Sequence, residues 1–135
     1  MRRPTRGCTS LSIALLLFAC SARATPPLPD PGRSEVRAPI ARVSVRVAES
    51  HPPQYFADVT SALPDGCTRF ARSAVRREES TVFVDVFNTR PTSDAVACSM
   101  IYGEHESAAP LGSDFEPGAT YTLDVNGTRT TFVAQ

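Results

Sequence analysis

Alternation of apolar and polar side chains is the feature of this sequence that most restricts its fold. The stretch from Ile40 to Ala48 (IARVSVRVA) places valine at every second position, with arginine or serine between. The stretches 54–62 and 81–87 repeat this period, and 96–102 is a further short apolar run. A period of two is typical of strands, and no segment shows the helical period of 3.6. The sequence therefore predicts an all-β chain.

Turn signals separate these stretches. In Leu63-Pro64-Asp65-Gly66, proline presets one backbone angle, aspartate tolerates a tight corner and glycine suits a left-handed position. Asn126-Gly127 predicts a two-residue type I′ hairpin, because both central residues of that turn need positive φ. Cross-strand pairing should then bring together opposite charges on one face and aromatic rings on the other. The predicted pairs are Val125 with Thr128, Asp124 with Arg129, Leu123 with Thr130 and Tyr121 with Phe132.

About seven short strands with turns roughly every ten residues are typical of a β-sandwich. We predict a small immunoglobulin-like sandwich over residues 39–135, with a small barrel as the alternative. The sequence has no Trp, which excludes the Trp-on-disulfide core of antibody domains.

The N-terminus has the features of a secretory signal. Arginines precede the apolar run Leu11 to Ala19, which is too short to span a bilayer. Ala22-Arg23-Ala24 then offers a cleavage site with small residues at the two required positions. This site predicts a signal peptide over residues 1–24 and a proline-rich linker over residues 25–38.

A second processing site competes with the first. Leu17-Phe18-Ala19-Cys20 resembles the lipobox of bacterial lipoproteins, in which the cysteine sulfur is lipidated before cleavage. In this interpretation the signal covers residues 1–19, a lipid on Cys20 holds the protein to a membrane, and the linker is its tether. Ser21, in place of aspartate, resembles the outer-membrane sorting pattern. We favour this interpretation, which predicts an outer-membrane lipoprotein facing the periplasm or the cell surface; the alternative is a secreted or periplasmic protein.

Two cysteines, Cys67 and Cys98, remain in the predicted domain. Exported proteins fold in an oxidising environment, so we predict a disulfide between this pair. It would join the start of the third strand to the fifth. Closing a loop of about 30 residues stabilises a domain by about 3–4 kcal/mol in the chain-entropy model.

Charge and motif patterns exclude several functions. The chain from Thr25 keeps ten arginines against 14 acidic residues, a net charge of −4, whereas nucleic-acid binding needs a concentrated basic face. His51 and His105 lack zinc-ligand spacing, and no nucleophile elbow or phosphate loop occurs. Asp114 and Glu116 lie on a glycine-bounded stretch that could offer oxygens to calcium, but a solvated turn explains them equally well. We therefore predict no enzyme activity, no metal and no cofactor.

Several stretches of the domain carry a resemblance. PPQYFADVTSALPDGCTRF, ACSMIYG, LGSDFEPGATYTLDVNG and TFVAQ resemble a domain exported by diverse bacteria, alone behind a lipoprotein-like signal or joined to other secreted modules. The resemblance implies a β-sandwich of the cell envelope and brings no activity with it.

Two functions remain open. The first is a non-catalytic binding or structural module of the bacterial envelope, with an unknown protein or envelope polymer as partner. Phe83 and Phe87 would then form an exposed aromatic patch, unless both faces of their strand are buried. The alternative is a secreted protease inhibitor, similar in size and architecture to the chagasin family. It predicts three loops together at one end: Pro52-Pro53, Asn88 to Asp94 and Gly103 to Pro110.

Overall fold

Two β-sheets packed face to face form the folded part of the chain. The computed structural model describes residues 32–135, which contain eight strands and no helix. The predicted all-β sandwich is therefore confirmed, and the two separate sheets exclude a barrel. The strands are β1 (Arg33–Arg37), β2 (Ile40–Ala48), β3 (Gln54–Leu63), β4 (Arg69–Glu78), β5 (Thr81–Pro91), β6 (Gly103–Gly112), β7 (Thr120–Val125) and β8 (Thr128–Val133).

Strand β5 is the centre of the five-stranded sheet. β4 pairs with it antiparallel along residues 81–89. β7 pairs parallel with residues 81–84, and β1 pairs antiparallel with residues 87–91. Because β4 occupies one edge of β5 throughout, β7 and β1 must lie end to end along the other edge. β8 extends this sheet beyond β7, while β2, β3 and β6 form the second sheet in that order.

The core lies between the sheets and is built from the alternating positions. One face of each central strand is buried, as the period of two predicts. Aromatic rings close the core at one end, with centroids 4.7 Å apart for Tyr55 and Phe115 and 4.9 Å apart for Phe115 and Tyr121. Fully buried side chains from the three central strands are Ala57, Val59, Val82, Val84, Val86, Leu123 and Val125.

The hairpin joining β7 and β8 has the predicted register, including all four predicted pairs. Asn126 and Gly127 both have positive φ, 49° and 96°. The Arg129 guanidinium donates to the Asp124 carboxylate at 2.7 Å, and this hydrogen bond lowers the pKa of Asp124. On the other face the rings of Tyr121 and Phe132 stack with centroids 5.6 Å apart.

The side chain of Asn126 fills the gap where β1 and β7 meet along β5. Its Oδ1 accepts the Val86 N–H at 3.1 Å. Its Nδ2 donates to the carbonyl oxygens of Val86 and Ala38, each at 2.8 Å. Val86 follows the residues that β7 pairs and precedes those that β1 pairs. The carboxamide therefore continues the ladder of backbone hydrogen bonds between the two strands.

The structure corrects the N-terminal boundary of the domain. Residues 33–37, placed in the linker by the sequence pattern, form β1. Long-range polar contacts hold this strand. The Arg33 guanidinium donates to the backbone oxygen of Thr89 at 2.9 Å, and Glu35 accepts two hydrogen bonds from Arg72 on β4. A strand held by partners far along the chain has little local pattern of its own.

Two further segments differ from the sequence interpretation. Residues 96–102, predicted as a strand, are irregular, and the strand begins instead at Gly103 as β6. The inward positions of β6 carry small or polar residues such as His105 and Ser107, so its alternation is weak. The third strand, whose start the sequence pattern placed at Cys67, is present as β4, although five of its ten residues are charged.

Replacing Asn126 with glycine should lower the free energy of unfolding by about 2–3 kcal/mol, since three hydrogen bonds worth about 1 kcal/mol each are lost. Glycine also adopts the positive φ of the turn, so the variant removes the carboxamide and leaves the turn geometry unchanged. Urea denaturation measures the change. Amide hydrogen exchange at Val86 should accelerate in the same variant. A loss below about 0.5 kcal/mol would contradict the role given to this side chain.

Candidate functional site

The connection between β5 and β6, residues 92–102, exposes most of the large apolar side chains that face solvent in the described chain. We call it the β5–β6 loop. Relative exposures are 47% for Val96, 89% for Met100, 71% for Ile101 and 58% for Tyr102. Within residues 32–135 only Val75 and Val133 are also large, apolar and exposed. Large apolar side chains concentrated in one exposed segment are typical of an interaction site.

A disulfide holds this loop to the rest of the domain. Cys67, in the turn between β3 and β4, bonds to Cys98 in the loop, with Cα atoms 5.4 Å apart. The predicted pair is thus present, but it joins two connections rather than the third and fifth strands. The Gly66 N–H also donates to the Ser99 oxygen at 2.9 Å. The loop is therefore attached at two consecutive residues.

Asp65 organises the turn to which the loop is attached. Its Oδ1 accepts hydrogen bonds from the Thr68 hydroxyl, the Thr68 N–H and the Cys67 N–H, at 2.9, 2.7 and 2.9 Å. These bonds, the Thr68 hydroxyl first, lower the pKa of Asp65. Gly66 does not have the positive φ that the sequence pattern predicted. Its small size matters instead, because a Cβ there would lie 2.1 Å from the Ser99 Oγ.

The second half of the loop is extended. Residues 97–102 make no turn or bend and continue directly into β6, whose first residue, Gly103, pairs with Leu63. Within residues 32–135, the backbone groups of Met100, Ile101 and Tyr102 make no hydrogen bond. The segment therefore resembles a strand without a neighbour, fixed at both ends.

The predicted aromatic patch on β5 is covered by arginines. Phe83 and Phe87 lie on the outer face of the sheet, opposite the buried valines, and are half-buried. The Arg76 guanidinium carbon lies 3.9 Å from the centroid of Phe83, and that of Arg72 lies 4.3 Å from Phe87. Arg72 also hydrogen-bonds to Glu35 and lowers the pKa of that carboxyl. The two rings are therefore not a free aromatic surface.

The two histidines lie far apart. His51 is exposed in the connection between β2 and β3. His105, on β6, stacks on Phe70 with ring centroids 4.2 Å apart, and it pairs with Ser61 near the other end of β3. Ser61 donates its hydroxyl proton to the His105 backbone oxygen, not to the imidazole. The fold therefore does not bring the histidines together.

The acidic residues considered for calcium do not converge. Asp114 and Glu116 are both exposed, whereas Phe115 between them is buried in the core. Within the described residues, one group of three potential metal ligands occurs: Asp65, Cys67 and Cys98. Its two sulfurs are bonded to each other and so are not the thiolates that a metal would need.

The three loops predicted for a protease inhibitor do not meet at one end. Gly103 to Pro110 lies within β6, and β5 continues to Pro91. Pro52-Pro53 precedes β3, whereas the β5–β6 loop lies beside its last residues, at the opposite end of a ten-residue strand. That three-loop arrangement is wrong.

The predicted signal peptide, the lipidation site Cys20 and residues 25–31 of the linker lie outside the described residues. Within residues 32–135, no helix has the length and apolar character needed to cross a membrane.

The sequence of the sandwich is similar to a known domain family and to a bacterial protein. The family model of the ORF11 beta-sandwich domain matches residues 57–134. A protein of Herpetosiphon aurantiacus, described as an uncharacterized 10.2 kDa protein in the HgiCIIM 5′ region, is 31% identical over 87 residues. This match covers 64% of the present chain and 89% of the relative. No solved structure matches.

Replacing both Cys67 and Cys98 with serine should lower the free energy of unfolding by about 3–4 kcal/mol, because the unfolded chain regains the freedom of the closed loop. Urea denaturation of the oxidised protein and of the double variant measures the difference. Limited proteolysis should also become faster within residues 92–102. If alkylation of the unfolded, unreduced protein labels both cysteines, the bridge is absent.

Proposed function

We propose that the chain, which belongs to the ORF11 beta-sandwich domain family, is a non-catalytic binding module of the bacterial cell envelope. Its contact surface is the β5–β6 loop, and its partner is a protein. The observation that carries this proposal is the exposure of Met100, Ile101 and Tyr102 on a loop that a disulfide holds in place.

Burial of these side chains against a partner would supply most of the binding energy. Large apolar and aromatic side chains at the centre of an interface account for most of its affinity. A loop that is already ordered loses less conformational entropy when it binds. The Cys67–Cys98 bridge and the hydrogen bond from Gly66 to Ser99 provide this order. The arrangement therefore favours binding over a purely structural role.

The lipid anchor at Cys20 is part of the proposal and is consistent with where the tether leaves the domain. The Thr92 N–H donates to the Gly32 oxygen at 3.1 Å, so the described chain begins beside the first residue of the β5–β6 loop. The residues between Cys20 and Gly32 can span at most roughly 40 Å. A lipid on Cys20 would thus keep the loop close to a membrane and to partners there.

Replacing Met100, Ile101 and Tyr102 together with serine should weaken capture of envelope proteins by about 30-fold or more, the loss expected for interface hot spots. Stability should change little, because the three side chains are exposed. Immobilised mature protein and quantitative mass spectrometry of bound partners measure the effect. Val133→Ser is the matched control, since Val133 is as exposed as Tyr102, at 58%, and lies at the end of β8. Equal capture by the triple variant and the control would refute the proposed surface.

Replacing Cys20 with alanine should move the protein from the membrane fraction to the soluble fraction, because the thiol that receives the lipid is lost. Mass spectrometry of the wild-type N-terminus should find a lipid-modified Cys20. A mature chain that begins at Thr25 without a lipid would contradict the anchor and leave the binding surface as a separate question.

A further inference from the structure

We infer that the segment Cys98 to Tyr102 is a substrate-like insert for the active-site cleft of a serine endopeptidase, with Met100 entering the primary specificity pocket. This inference rests on the proposed function, since it names the partner of the same surface.

The backbone of the segment has the form that such a cleft accepts. An extended peptide binds by adding a strand to the edge of its receptor, with main-chain hydrogen bonds for affinity and side-chain pockets for specificity. Residues 97–102 are extended, and the backbone groups of Met100, Ile101 and Tyr102 are free of hydrogen bonds within residues 32–135. These groups can pair with a receptor strand without breaking any contact of the domain.

Met100 is the side chain best placed to enter a pocket. It is 89% exposed, more than any other large apolar residue described. Its unbranched, flexible side chain adapts to apolar pockets of different shape. It lies two residues after the bridged Cys98 and three before Gly103, where β6 begins. The most exposed position is therefore in the middle of a segment fixed at both ends.

Fixed ends distinguish an inhibitor from a substrate. Hydrolysis of the Met100–Ile101 bond would add one water and produce a carboxylate on Met100 and an amine on Ile101. The new ends would remain attached to the domain, one through the Cys98 bridge and the other through β6. Because they cannot diffuse apart, their high effective concentration favours resynthesis of the bond, with release of the water. The segment should therefore occupy the cleft rather than leave it as product.

The test uses mature protein purified from the envelope with its disulfide intact, assayed against subtilisin, chymotrypsin and trypsin. Wild type should inhibit subtilisin or chymotrypsin, which accept apolar side chains, and should not inhibit trypsin. Met100→Arg should lose about 30-fold or more in that inhibition and should gain inhibition of trypsin, because the pocket of trypsin carries an aspartate. Val133→Ser, altered at the end of β8 and outside the β5–β6 loop, should inhibit as wild type does.

The gain of trypsin inhibition by Met100→Arg cannot result from misfolding, so it keeps the test informative if other variants are unstable. Rapid cleavage of the segment without inhibition would overturn the inference. It would also be overturned if wild type inhibited neither subtilisin nor chymotrypsin and Met100→Arg did not inhibit trypsin. If wild type inhibits neither subtilisin nor chymotrypsin while envelope capture still depends on residues 100–102, the proposed function stands and a serine endopeptidase is excluded as the partner.

Discussion

The junction of β1, β5 and β7 depends on the side chain of Asn126, which makes hydrogen bonds of the kind that a neighbouring strand's backbone would make. Asn126 exchanges hydrogen bonds with both polar groups of Val86 and also binds the oxygen of Ala38, between two strands that share one edge of β5. Without it, Val86 N–H would lack this partner at the centre of the sheet, where an unpaired buried group is costly. The same residue must also adopt a positive φ for the hairpin. The two requirements together favour asparagine, which tolerates that φ and carries both a donor and an acceptor.

The outer face of the five-stranded sheet explains why part of the fold is hard to recognise. Arg72 lies over Phe87 and reaches Glu35, so contacts run from β4 across β5 to β1. Each exposed ion pair contributes little, about 0–1 kcal/mol. The guanidinium groups of Arg72 and Arg76 nevertheless lie over the half-buried rings of Phe87 and Phe83. Strand β1, which these contacts reach through Glu35, has a short and mostly charged sequence, which is the pattern of a loop.

The strands that could be predicted from the sequence are those whose apolar side chains face the core. β2 and the β7–β8 hairpin were predictable because their valines, Leu123 and Tyr121 face the core and their turn residues have one dominant use. β6 was missed because its inward positions are small or polar, and β1 because its contacts are distant in sequence. Residues 96–102 were misassigned for the opposite reason. Their apolar run was interpreted as a strand, whereas its large side chains, Val96, Met100, Ile101 and Tyr102, face solvent. Sequence alone does not distinguish an apolar strand from an exposed apolar loop.

The position of the disulfide supports this distinction. A bridge between the two sheets would stabilise the core, but Cys67–Cys98 joins two connections at one end and orders a loop that is absent from the core cluster. Replacing Met100, Ile101 and Tyr102 with polar residues would cost the fold little, since they bury little area. Exposed apolar side chains also carry a risk of aggregation. The packing of the domain does not require these side chains, and their concentration on one segment held by the disulfide is the observation on which the proposed contact surface rests.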